Sequence, residues 1–94
     1  MTWDLETFER HMNRNGAGIA PNGCSYKLTV AWVTTRTEQE PVCERVNPEG
    51  IRETICGYNG TTFPSADAAR CWAIQDGRRE YSPGKSFSER KIIA

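Results

Sequence analysis

Histidine is nearly missing from this chain, a membrane-length apolar run is missing altogether, and net charge is zero. Each of these absences removes a class of function. With His11 as the single histidine, a cysteine nucleophile has only one imidazole available as its base, and a zinc site has only one as a ligand. No P-loop, dinucleotide fingerprint or Gly-x-Ser-x-Gly elbow occurs in the sequence, so the common phosphate-cradling and esterase motifs are excluded. No apolar run approaches the roughly 20 residues a spanning helix requires. The opening Met-Thr-Trp-Asp-Leu-Glu has neither the basic region nor the apolar core of a secretory signal. A cytoplasmic location, in a host cell, is the expectation. Zero net charge also removes any global field toward nucleic acid or anionic lipid.

Cysteine is present but not in a metal-binding pattern. Cys24, Cys43, Cys56 and Cys71 are separated by 19, 13 and 15 positions, without a Cys-x-x-Cys pair. Zinc sites take paired ligands from tight turns, so reduced, mostly buried thiols are the favoured reading, with one disulfide possible in an oxidising compartment. Neither cofactor nor metal is expected. The Asn59-Gly60-Thr61 sequon would matter only in a secreted protein.

A chain of 94 residues makes a single domain with one modest core, and Trp3, Trp32 and Trp72 supply apolar area for it. Leu5, Phe8 and Met12 recur at helical spacing over residues 4–15. Acids at the start of that stretch and bases at its end suit the helix dipole, and Asn15-Gly16 is a left-handed stop. His11 lies off the apolar stripe and should be exposed. Ala17 to Gly23 reads as a loop. Residues 25–36 then alternate with period two, with Tyr26, Leu28, Val30 and Trp32 on one face. After a polar stretch, residues 42–46 and 51–58 flank Asn47-Pro48-Glu49-Gly50, a hairpin turn signal. Asn59-Gly60 makes a further turn. Ser65 caps a helix over 65–76 that Gly77 closes, with Ala68, Ala69, Trp72 and Ala73 forming its packing face. Tyr81-Ser-Pro-Gly is another turn, and Ser86 to Glu89 matches a capping box. The fold expected is α+β, in the order α-β-β-β-α: a three-stranded antiparallel sheet with both helices on one face and a C-terminal element left open.

Charge is unevenly spread. Residues 78–94 carry five basic residues against two acidic, whereas the first 77 carry seven against ten. The basic segment with interleaved aromatics (Arg78, Arg79, Tyr81, Lys85, Phe87, Arg90 and Lys91) is a candidate partner-binding surface, single-stranded nucleic acid included. Glu38 and Glu40, with Glu44, Glu49 and Glu53, could stand in for phosphates on an acidic counterpart.

The order α-β-β-β-α over residues 4–76 resembles the double-stranded-RNA-binding domain. That resemblance implies a basic cluster opening the second helix, where this chain has Ser65-Ala-Asp-Ala-Ala-Arg70, and a histidine-containing loop, where it has Thr35-Arg-Thr-Glu-Gln-Glu40. The RNA-gripping residues are therefore not carried over. A compact, uncharged domain opening on its own Met is expected to be a stand-alone small gene product. In size and make-up it resembles the small inhibitors that bacteriophages and mobile elements encode, anti-CRISPR proteins among them. That resemblance implies a non-catalytic protein that docks on a host protein or nucleoprotein complex and blocks it sterically. Nucleic-acid binding through the basic segment is the alternative.

Overall fold

A computed structural model of the chain describes residues 2–32, 38–58 and 61–81. The element order is α1 (Leu5–Asn15), β1 (Ala17–Ile19), β2 (Ser25–Ala31), β3 (Glu40–Val46), β4 (Arg52–Ile55), β5 (Gly57–Tyr58), β6 (Thr61–Thr62) and α2 (Ala66–Arg78). The fold is α+β, and its antiparallel sheet has four strands in the order β1-β2-β3-β4, where the sequence predicts three. β5 and β6 pair separately as a short ribbon, so the expected strand over 51–58 ends at Ile55.

The additional strand comes from the stretch read as a loop. Gly18, Pro21 and Gly23 give that stretch the look of irregular chain, whereas Gly16 is the helix stop that the sequence predicts. Gly16 takes the left-handed conformation that ends α1 and returns its N–H to the Met12 carbonyl. Gly18 is a point of close approach: a Cβ there would lie 3.0 Å from Phe8 and 3.3 Å from Trp3. The actual reversal falls at Pro21-Asn22-Gly23, where Gly23 has φ 91° and the Asn22 side chain accepts from Cys24 N–H. The Asn47 turn follows its sequence signal. Asn47 Oδ1 accepts from the N–H groups of Glu49 and Ile51, both at 2.9 Å, and Gly50 has φ 88°.

Strand alternation sorts the side chains into two sets. Gly18, Tyr26, Arg45 and Glu53 form one cross-strand row on the inner face, and Leu28, Cys43 and Ile55 form the next. Both helices pack on this face. Phe8 and Met12 of α1 and Ala69, Trp72 and Ala73 of α2 close the core with Tyr26, Cys43, Ile55 and Phe63. The rings run in series, Phe8 to Tyr26 at 5.5 Å and Tyr26 to Trp72 at 6.3 Å between centroids. Val42 and Cys56, with Ala31, make a smaller second cluster.

Two further expectations need correction. Gly77 does not close α2. It is buried inside the helix, which runs on to Arg78, because a Cβ at this position would come within 2.5 Å of Phe8 and 2.8 Å of Ala20. The glycine is there for helix contact rather than for chain reversal. His11 is not simply exposed either, since its half-buried ring packs on Trp3 at 4.5 Å. The end of the strand predicted over 25–36, the Asn59-Gly60 turn and the Ser86–Glu89 capping box lie outside the described residues.

Candidate functional site

The fold gathers polar side chains in two places. The first is internal. Arg45, on the inner row of β3, is only 2% exposed. Its guanidinium donates to Glu53 at 2.6 Å and to Asp76 near the end of α2 at 2.8 Å. Asp76 also accepts from the Tyr26 hydroxyl, which in turn accepts from Asn22 at 3.2 Å. Two rings flank the cation: Arg45 Cζ lies 5.9 Å from the Trp72 centroid and 5.3 Å from that of Tyr81. Tyr81 is fixed there by a hydrogen bond from Asn47 Nδ2 at 3.0 Å. Burial works against the charge on Arg45, but hydrogen bonds and attraction from Asp76 and Glu53 outweigh it and raise its pKa. Burial, then donation to Asp76, likewise push the Tyr26 phenol far above its usual range. The effect is to lock β2, β3, β4 and α2 to one another around charge. These groups satisfy one another, and the arrangement serves the fold.

The second place is the outer face of the sheet, which neither helix covers. Register sets out two open rows across it, Ala17, Lys27, Glu44 and Thr54, then Ile19, Ser25, Val46 and Arg52, while at its other end Val42, opposite Thr29, is buried with Cys56 and Ala31. A groove of about 530 Å³ lies along β1 and opens onto these rows, walled on the α1 side by Trp3, His11 and Asn15. Neither Lys27 nor Arg52 is in an ion pair among the described residues. Strand β1 is an edge, with β2 as its one neighbour among the described strands.

Of the residues singled out from the sequence, those that the structure describes lie apart from one another. Arg78 is exposed and paired with Glu9 of α1. Arg79 caps α2 and is exposed. Tyr81 turns inward onto Arg45. Lys85, Phe87, Arg90 and Lys91 lie outside the described residues. The acids are dispersed: Glu38 is exposed ahead of β3, Glu40 opens β3 opposite Ala31, Glu44 is on the outer face, and Glu49 is in the turn. Glu53 faces inward and is bound to Arg45, which removes it from any phosphate-like surface.

Arg45 and Asp76 carried no signal in the sequence, nor, apart from Glu44, did the residues of the outer face. Inward and outward residues of Val42-Cys-Glu-Arg-Val46 differ little in polarity, so its alternation carried no signal as to which side is buried. All four thiols are free; Cys24, Cys43 and Cys56 are buried and Cys71 is exposed. Burial raises Cys24 and pushes Cys43 up to about 12. Among the described residues, no group of three or more His, Cys, Asp or Glu side chains is placed to hold a metal ion, and no helix is long and apolar enough to cross a membrane. Comparison with protein-family models, with curated proteins and with solved structures finds no match in any of the three.

Proposed function

We propose that the chain is a small non-catalytic binding protein that docks on a host protein or nucleoprotein complex and blocks it sterically, as the small inhibitors of phages and mobile elements do, anti-CRISPR proteins among them. The observation that carries this reading is the one-sided sheet. Both helices pack on the inner face, while the outer face presents a grooved surface of mixed apolar and charged rows. Interfaces of this kind combine apolar anchors with a polar surround. The internal Arg45 cluster supports the same reading, because it holds the presenting sheet rigid without presenting any group of its own. Nucleic acid is the less favoured partner, since Arg78 is spent on Glu9 and Glu44 interrupts the positive charge of the outer face.

The test is affinity capture by the full chain from a bacterial lysate divided into nuclease-treated and untreated halves. A stoichiometric protein that survives nuclease and is lost with Val46→Glu is the expected result. Retention that vanishes with nuclease, and with charge reversal of Arg78, Arg79, Arg90 and Lys91, would replace this reading with nucleic-acid binding.

A further inference from the structure

We infer that the partner adds an extended segment to the outer edge of β1, and that this segment carries an acidic residue two positions from an aliphatic one, with a groove-filling apolar residue between them. The inference rests on the binding reading above and specifies the partner chemistry of the same surface.

The backbone supplies the first argument. Leu28 N–H donates to the Gly16 carbonyl at 2.7 Å, and Ala20 N–H donates to the Cys24 carbonyl at 2.8 Å. Antiparallel ladders alternate, so Gly16, Gly18 and Ala20 bond toward β2 while the N–H and C=O groups of Ala17 and Ile19 point to the outer side. No strand occupies that side among the described residues. The groove extends from Trp3 and β1 across the sheet to Val46 and Arg52 and takes in this edge, where an added strand would lie about 4.8 Å away. Strand addition of this kind takes affinity from main-chain bonds and specificity from alternate side chains.

Side chains on either side of β1 define the sequence that fits. Gly18 has no side chain and Phe8 and Trp3 already fill the space on its inner side, so the middle residue of an added segment meets the Trp3–His11 wall of the groove, which suits an apolar or aromatic side chain. The residues before and after it fall on the outer face. One meets Ile19, with Val46 further along the same row. The other meets Ala17, whose lone methyl separates it from Lys27. A lysine stem spans that gap, and Lys27 has no ion-pair partner among the described residues. A single carboxylate suits this position better than a polyanion, because Glu44 stands directly across from Lys27. β4, the other edge among the described strands, contributes only Arg52 to this groove.

The probe is a displayed library of random heptapeptides selected on the full chain. Enrichment of an acidic–apolar–aliphatic triplet, in either direction along the strand, is expected. Synthetic peptides from that pool should lose tenfold or more in affinity when the backbone is N-methylated at the residues facing β1, and tenfold or more against Lys27→Glu. A peptide with Lys in place of its acid should regain affinity for that variant. Amide exchange at Ala17 and Ile19 should be fast in the free, dilute chain and slow at least tenfold on binding. Slow exchange at both amides before any peptide is added would overturn the inference, whether a second copy or the chain's own segment covers the edge; light scattering separates those two. Binding indifferent to N-methylation and to Lys27→Glu would overturn it as well. A lysate partner that is captured but ignores Lys27→Glu and the peptides would leave the binding reading standing and remove this one.

Discussion

At the scale of single residues, Arg45 ties β3 to β4 and α2. Replacing it with Met leaves Glu53 and Asp76 facing each other without their cation, and a loss of about 3–5 kcal/mol is expected on denaturant unfolding. A variant as stable as the parent would show that the cluster does not hold the fold. Gly77→Ala is expected to cost about 1–3 kcal/mol, since the added methyl must displace Phe8 or Ala20. Thiol labelling gives a direct check on burial: under native conditions Cys71 should react promptly, while Cys24, Cys43 and Cys56 should wait for unfolding. Neither central residue could be placed from sequence alone. Arg45 and Asp76 stand 31 positions apart, and only the packing of α2 on β3 joins them. Gly77 sits where a helix-stopping glycine would sit, so the same letter served two physical roles.

At the scale of elements, local signals placed both helices and the Asn47 hairpin because each carries its own chemistry. Asp4 and Ser65 cap their helices through Thr7 and Ala68 N–H groups, and Ser65→Ala should lower stability by about 1 kcal/mol. Strand β1 had no such signal. Three residues are too few to show alternation, two of the nearby glycines suggested a loop, and the pairing that makes the segment a strand is supplied by β2. The candidate surface was illegible for the same reason. Which face of the sheet the helices leave uncovered is decided by Phe8, Met12 and Trp72 packing together, a tertiary fact that no window of sequence contains. The basic segment drew attention by composition, yet the fold turns Arg78 and Tyr81 back onto the body of the domain.

At the scale of the whole molecule, the buried acids of weak strength set a pH limit. Cys43 is pushed up to about 12 from an ordinary 9.0, with Cys24 and Tyr26 shifted the same way. A group that holds its proton more tightly when folded contributes fully below its unfolded pKa, and that contribution is lost as pH rises toward the folded value. The melting temperature should therefore fall steadily above about pH 9, and a flat profile to pH 11 would contradict the burial of these groups. The central claim is that the outer face of the sheet is what the protein presents. Hydrogen-exchange footprinting of the captured complex against the free chain tests it most directly. Protection is expected along β1 and across the rows through Lys27, Glu44 and Val46, with α1 and α2 unchanged on their solvent sides. Protection confined to the exposed side of either helix, or to Arg79 and the residues beyond it, would contradict the account.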